Sequence, residues 1–232
     1  MHAALCFLLV AAAAATATAT AAATTSATFM VSLANAKYSS RSCFVSERVA
    51  LMSFKSGITD DPANRLGSWR GHDCCLWHGV LCSNRTGHVI KLDLRNNNFE
   101  DDYLSDDLSR NVSWLRGQIS NSLPDLPHLR HLDLSGNLLG GVPIPAFLGS
   151  LKCLKYLNLS YMCFVGRVPP QLGNLSKLVY LDINSEFNFG NNVHSPEISW
   201  LAQLTSLKHL NMGRVNISTV VDWVHTRYKV EM

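Results

Sequence analysis

The sequence predicts an α/β solenoid built of stacked repeats, and three observations carry that prediction. A short aliphatic phrase returns five times, glycine- and proline-rich segments fill the intervals, and a group of cysteines precedes the first phrase. The phrase reads VIKLDLRNN from Val89, LRHLDLSGN from Leu129, LKYLNLSYM from Leu154, LVYLDINSE from Leu178 and LKHLNMGRV from Leu207. Start-to-start spacings are 40, 25, 24 and 29 residues.

The spacings of 25 and 24 residues fit a leucine-rich repeat, whose core phrase is LxxLxLxxN. Alternate side chains of a strand point to opposite faces, so Leu132 and Leu134 turn inward together while His131, Asp133 and Ser135 turn outward. One such strand cannot bury its apolar side, but a stack of them can. The expected architecture is a leucine-rich-repeat solenoid with short parallel strands on a concave face and loops and helical turns on the convex face. Residues 88–232 supply about five repeats. Leu92, Leu132, Leu157 and Leu181 are expected in one continuous buried column.

The elements follow in chain order. Residues 1–36 read as a secretory signal peptide: Ala3 to Ala15 is an apolar core of suitable length, and Ala34-Asn35-Ala36 is a small-x-small cleavage site. Thr16, Thr18 and Thr20 interrupt the apolar run before the roughly 20 residues a membrane span needs, so no span is expected in this chain. Residues 37–87 read as an N-terminal cap. Val45, Val49, Leu51, Met52 and Phe54 have the spacing of one helical face, with Ser46 as candidate N-cap and Gly57 as its stop. A stack has an open end of bare leucines, and this helix with Trp69 and Trp77 is a lid for it.

Of seven cysteines, Cys6 leaves with the signal, and the rest face an oxidising compartment. Cys43, Cys74, Cys75 and Cys82 fall in the cap and allow three connectivities. Adjacent cysteines rarely bridge each other, and Cys43–Cys74 with Cys75–Cys82 is the favoured pairing. These residues with His72 and His78 make a poor zinc set beside a secretory start. Cys153 and Cys163 flank the third strand, too far apart to bridge, and are expected as mostly buried thiols.

After each strand the chain must turn back. Gly140, Gly141 and Gly166 are expected to supply turn conformations, and Pro143, Pro145, Pro169 and Pro170 an extended return. Leu148 with Leu151, and Leu172 with Leu175, then pack inward. Asn97 and Asn137 take the inward Asn position, bonding the backbone at the bend; Met162, Glu186 and Val215 stand there in later coils. Two excursions, Asn98 to Trp114 and Phe187–Val193, read as surface insertions. Asn-x-Ser/Thr sequons at Asn84, Asn111, Asn158, Asn174 and Asn216 fit export and glycosylation.

A formal net charge of +3 argues against nucleic acid as a partner. Catalysis is also disfavoured, with no Ser-centred elbow, phosphate-cradling glycine loop or metal-spaced His/Glu pair. Asp60-Asp61 and Asp101-Asp102 read as solvated loop acids. No enzyme activity and no cofactor are expected.

The segments CFVSERVALMSFKSG and LGSWRGHDCCLWHGVLC resemble the N-terminal cap of plant extracellular leucine-rich-repeat proteins. LLGGVPIP and FVGRVPPQLGNL resemble their repeat consensus, and the order of motifs from Cys43 to His225 is most similar to plant receptor-like proteins of the disease-resistance type. The resemblance implies an extracellular ectodomain that recognises a protein or peptide ligand in defence and signals through a co-receptor kinase. Such receptors carry more repeats, a closing cap and a membrane anchor. This chain stops at DWVHTRYKVEM, which reads as a truncated form. Secreted inhibitors of microbial wall-degrading enzymes, of the polygalacturonase-inhibiting type, share the cap and are the alternative, as is a soluble decoy.

The outward strand positions form the candidate binding surface: Lys91, Asp93 and Arg95; His131, Asp133 and Ser135; Tyr156, Asn158 and Ser160; Tyr180, Asp182 and Asn184; His209 and Asn211. Tyr156 and Tyr180 are the favoured contacts, because interfaces favour tyrosine anchors. Asp93, Asp133 and Asp182 read more as scaffold, since Asp or Asn between paired leucines belongs to the repeat itself.

Overall fold

The computed structural model describes residues 42–98, 113–185 and 193–218. The signal segment, Asn111, the acids at 101–102, Glu186, most of both insertions and the last residues of the chain lie outside them. Among the described residues, one helix, α1 (Val45–Ser56), precedes ten short strands: β1 (Ile58–Asp60), β2 (Val80–Cys82), β3 (Val89–Asp93), β4 (Arg116–Gly117), β5 (His131–Asp133), β6 (Tyr156–Asn158), β7 (Gly166–Arg167), β8 (Tyr180–Asp182), β9 (Val193–His194) and β10 (His209–Asn211).

Six of the strands make the main sheet, in the order β10-β8-β6-β5-β3-β2. From β3 to β10 every pairing is parallel, and the register places Leu92, Leu132, Leu157, Leu181 and Leu210 side by side. The first four are fully buried. Leu94, Leu134, Leu159 and Ile183 form a second buried column, and Val89, Leu129, Leu154 and Leu178 a third. Each fully buried Leu contributes about 1.5–3 kcal/mol relative to exposure, so these columns dominate the stability of the stack.

The return path runs through short 3-10 turns at Leu123–Asp125, Ala146–Ser150, Pro170–Asn174 and Ser199–Gln203. Pro145 and Pro169 sit in extended backbone just ahead of two of them. Leu148, Leu151, Leu172 and Leu175 are buried beneath. Gly141 and Gly166 adopt the left-handed conformation expected of turns. Gly140 does not; its role is clearance, because a Cβ there would stand 2.0 Å from the Met162 carbonyl oxygen of the next coil. On the flank, β7 and β9 pair in a second parallel sheet.

The cap differs in detail from the sequence reading. The buried face of α1 is Glu47, Ala50, Leu51 and Phe54, while Val45, Val49 and Met52 are exposed. The cause is Glu47, whose carboxylate accepts the Val89 backbone N–H and contacts His88 Nδ1, each at 3.0 Å. A buried carboxylate must be partnered, and these partners rotate the helix. Ser46 does not cap α1: Phe44 holds the N-cap position, with no side-chain cap bond. Gly57 does end the helix. Trp69 and Trp77 are buried and stacked at 5.4 Å. The sulfurs pair as Cys43–Cys74 and Cys75–Cys82.

One side chain ties this cap to the stack. Arg65 donates to the carbonyls of Leu94, Arg95 and Ser113 and to Asn137 Oδ1. Asn137, buried as expected, donates to the Leu94, Leu134 and Ser135 carbonyls and accepts from the Leu115 N–H. Asn97, by contrast, is exposed; Asn96, one residue earlier, is buried and accepts from the Ser113 hydroxyl. The chain leaves β3 for the long first insertion, so the turn that Asn137 closes is not repeated there. Met162 and Val215 fill the equivalent inward place with apolar side chains.

Candidate functional site

Parallel register turns each outward position of the repeat into a row across the sheet. The first row reads Leu81, Lys91, His131, Tyr156, Tyr180, His209. Strands about 4.8 Å apart hold like side chains at stacking distance. The four rings stack in sequence, His131 on Tyr156 at 4.1 Å, Tyr156 on Tyr180 at 4.4 Å and Tyr180 on His209 at 4.2 Å, with interplanar angles of 7°, 11° and 3°. Neighbours cover the faces of the inner rings, which offer only their edges to a ligand.

The second row reads Asp93, Asp133, Asn158, Asp182, Asn211. Each side-chain oxygen accepts the backbone N–H two residues on, from Arg95, Ser135, Ser160, Asn184 and Gly213, at 3.0–3.4 Å. A short acceptor suits this place because the strand ends there: the next N–H still reaches the neighbouring coil, and the one after it turns back to the side-chain oxygen. Asp133 and Asp182 are buried and also accept the hydroxyls of Tyr156 and Tyr180. These acids and amides each hold the turn that follows their strand.

Asp93 sits between Lys91 at 3.0 Å and the Arg95 guanidinium. Burial alone would raise its carboxyl, but hydrogen bonds from Arg95 and Lys91 outweigh that and hold it well below the usual carboxylate range. Burial pushes the His131 imidazole down, helped by Lys91 and opposed by Asp93 and Asp133. Burial and the Asp133 charge push the Tyr156 phenol up, and burial with Asp182 does the same at Tyr180. Both tyrosines are therefore neutral donors. In the third row Arg95 is exposed, Ser135 half-buried, and Ser160 and Asn184 buried.

Ahead of the ring row lies another that the sequence reading passed over: Ile90, Arg130, Lys155, Val179 and Lys208. Backbone bonds set it in order, from Arg130 N–H to the Ile90 carbonyl, Lys155 to Arg130, Val179 to Lys155 and Lys208 to Val179. Its signal was in plain view as the second residue of each phrase, but the reading followed only strand positions that alternate with leucine.

Elsewhere, Asn84, Asn174 and Asn216 are exposed, whereas Asn158 is half-buried in the second row with its amide oxygen bonded to Ser160. Cys153 and Cys163 are half-buried thiols, and burial pushes the Cys163 thiol up. The paired acids read as loop residues are structural: Asp60 ends β1 and faces Arg116 at 3.6 Å, and Asp61 accepts the Arg65 and Leu66 N–H groups. The sulfurs of Cys43, Cys74 and Cys75 lie together, yet their disulfides leave no thiolate for a metal.

A family profile described as Leucine rich repeat N-terminal domain matches residues 46–83, and one described as Leucine Rich Repeat matches 128–151 and 153–175. Receptor-like protein EIX1 of Solanum lycopersicum is 37% identical over 195 residues, covering 81% of this chain and 18% of that protein. The chain is a leucine-rich-repeat protein similar to plant receptor-like proteins. It spans less than a quarter of the length of such relatives. Among solved structures, the Arabidopsis receptor kinase HAESA ectodomain, in complex with an IDA peptide hormone ligand, superposes with a TM-score of 0.57 at 26% identity, over 75% of this chain and 27% of that one. A plant ice-binding protein superposes with a TM-score of 0.60 at 28% identity, over 75% of this chain and 50% of its own. The chain therefore shares its scaffold with a peptide-bound receptor ectodomain and with an ice-binding protein, so the fold alone does not name a ligand. Among its described residues no helix is long and apolar enough to cross a membrane.

Proposed function

We propose that this chain is the ligand-recognition part of a plant receptor-like protein acting in defence or signalling at the outer face of the cell. The ligand is a peptide or protein held across the concave sheet, and signalling passes to a partner kinase. The observation that carries the reading is the unbroken row from Lys91 through the stacked rings to His209, one residue per coil on a single face. The likeness to EIX1 and to a hormone-bound ectodomain supports recognition rather than catalysis. The disulfide-stapled cap and the exposed sequons suit an oxidising, secretory route.

The test is saturable binding of a plant extracellular peptide pool to the purified chain. Replacing both Tyr156 and Tyr180 with Ala should abolish that binding while circular dichroism stays unchanged. Equal binding by the double variant removes the concave row from recognition. Inhibition of a fungal polygalacturonase would instead place the chain among secreted inhibitors.

A further inference from the structure

The concave sheet is electrically lopsided. Its middle row of acids is internally occupied: Asp93 by Lys91 and Arg95, Asp133 by Ser135 and Tyr156, Asp182 by Asn184 and Asn211. The row at the leading edge of the strands is different. Arg130, Lys155 and Lys208 are all exposed there, and among the described residues none of them has an ion-pair partner.

Arg130 and Lys155 sit on adjacent coils, and Lys208 two coils further, all in hydrogen-bonded order. Adjacent strands are about 4.8 Å apart, well inside the roughly 8 Å over which salt screens charge at physiological strength. The potentials of Arg130 and Lys155 therefore add directly, and Lys208, two strand spacings or about 9.6 Å beyond Lys155, extends the positive lane at roughly the screening distance. Three like charges held in line without counter-charges oppose folding slightly, and an anionic partner relieves that repulsion.

We infer that this lane docks an acidic peptide segment in extended form, its carboxylates on Arg130, Lys155 and Lys208 and its other side chains over the tyrosine edges. The inference rests on the recognition reading above and names the chemical class of its ligand. A peptide fits better than an acidic glycan for a geometric reason. A sugar ring packs flat on an exposed aromatic face, whereas Tyr156 and Tyr180 have both faces covered by neighbouring rings. The exposed Leu81 at the cap end of the ring row adds an apolar contact suited to a side chain. The buried Asp133 and Asp182 repel carboxylates from the middle of the sheet, which confines the acidic groups to the edge.

The experiment measures fluorescence anisotropy with the purified full chain and three probes: a short peptide alternating glutamate with threonine, its glutamine counterpart, and an oligogalacturonate. The acidic peptide should bind, lose affinity steeply with salt, and bind roughly tenfold or more weakly to an Arg130→Glu/Lys155→Glu/Lys208→Glu variant. Arg85→Glu, on the exposed cap surface, controls for a charge reversal placed off the lane and should leave binding unchanged. Thermal melts establish that each variant is folded; if the triple variant does not fold, Lys155→Gln alone replaces it and should weaken binding severalfold. Equal binding of acidic and glutamine peptides, or indifference to the lane substitutions, overturns the inference. Tighter binding of the oligogalacturonate overturns it in favour of a glycan. Should the lane substitutions have no effect while Tyr156→Ala/Tyr180→Ala still abolishes binding of the peptide pool, the recognition face stands and only the ligand class falls.

Discussion

His131 is packed between Lys91 and Tyr156 in the ring row, its Nε2 buried without a hydrogen bond and 3.9 Å from Asp93. Its folded-state value lies below the ordinary imidazole value, so the fold favours the neutral ring. The unfolded chain then binds more protons, and stability rises with pH. The contribution is complete above about pH 6.5 and is lost as pH falls toward the lower folded value. His131→Tyr keeps a ring in the stack but removes the titration. Urea midpoints measured at pH 7.5 and pH 5 should converge in that variant relative to the parent chain, and an unchanged pH dependence counts against the assignment. Side chains of this kind mark where sequence reading stops. The pattern could show that Asp133 and Asp182 face outward, but not that a backbone N–H two residues on would claim them. Nor does a glutamate in a helix announce burial, and Glu47 took the core place assigned to Val49 and Met52 because an unpaired N–H at Val89 drew it inward.

The cap and the first two coils meet at the Arg65 guanidinium, which is half-buried and has its four acceptors in three separate stretches of chain. Arg65→Ala removes a charged donor from each of these four acceptors. A hydrogen bond from a charged donor contributes about 1.5–3 kcal/mol, and a loss of that size is expected in chemical denaturation. The cap's tryptophan fluorescence should change first, ahead of the circular dichroism of the stack; coincident transitions with no loss of stability would refute the role. The cap's existence was legible from its four cysteines and two tryptophans. The clamp was not, because nothing local distinguishes Arg65 from a surface arginine, and its acceptors appear only when distant coils stack.

At the scale of the molecule, stability is a sum over coils and the interfaces between them. Leu157 lies fully buried in the central coil, flanked by Leu132 and Leu181. Leu157→Ala should cost about 2–5 kcal/mol, since it opens a cavity that rigid neighbours fill only in part. The loss should exceed that of Leu210→Ala, because Leu210 is only half-buried; equal losses measured by urea titration would contradict the column. The solenoid itself was readable because a period of two within strands and of about 24 residues between them leaves few other ways to hide the leucines. Gly140 shows the limit, since its packing partner belongs to another coil.

One strand runs against the rest. β2 lies antiparallel on β3 and forms an outer border of the sheet. A second molecule trying to continue the ladder from that side would meet a backbone of reversed polarity, stapled in place through Cys82. The chain thus carries a terminator against head-to-tail polymerisation at this boundary, a safeguard that any open-ended sheet requires.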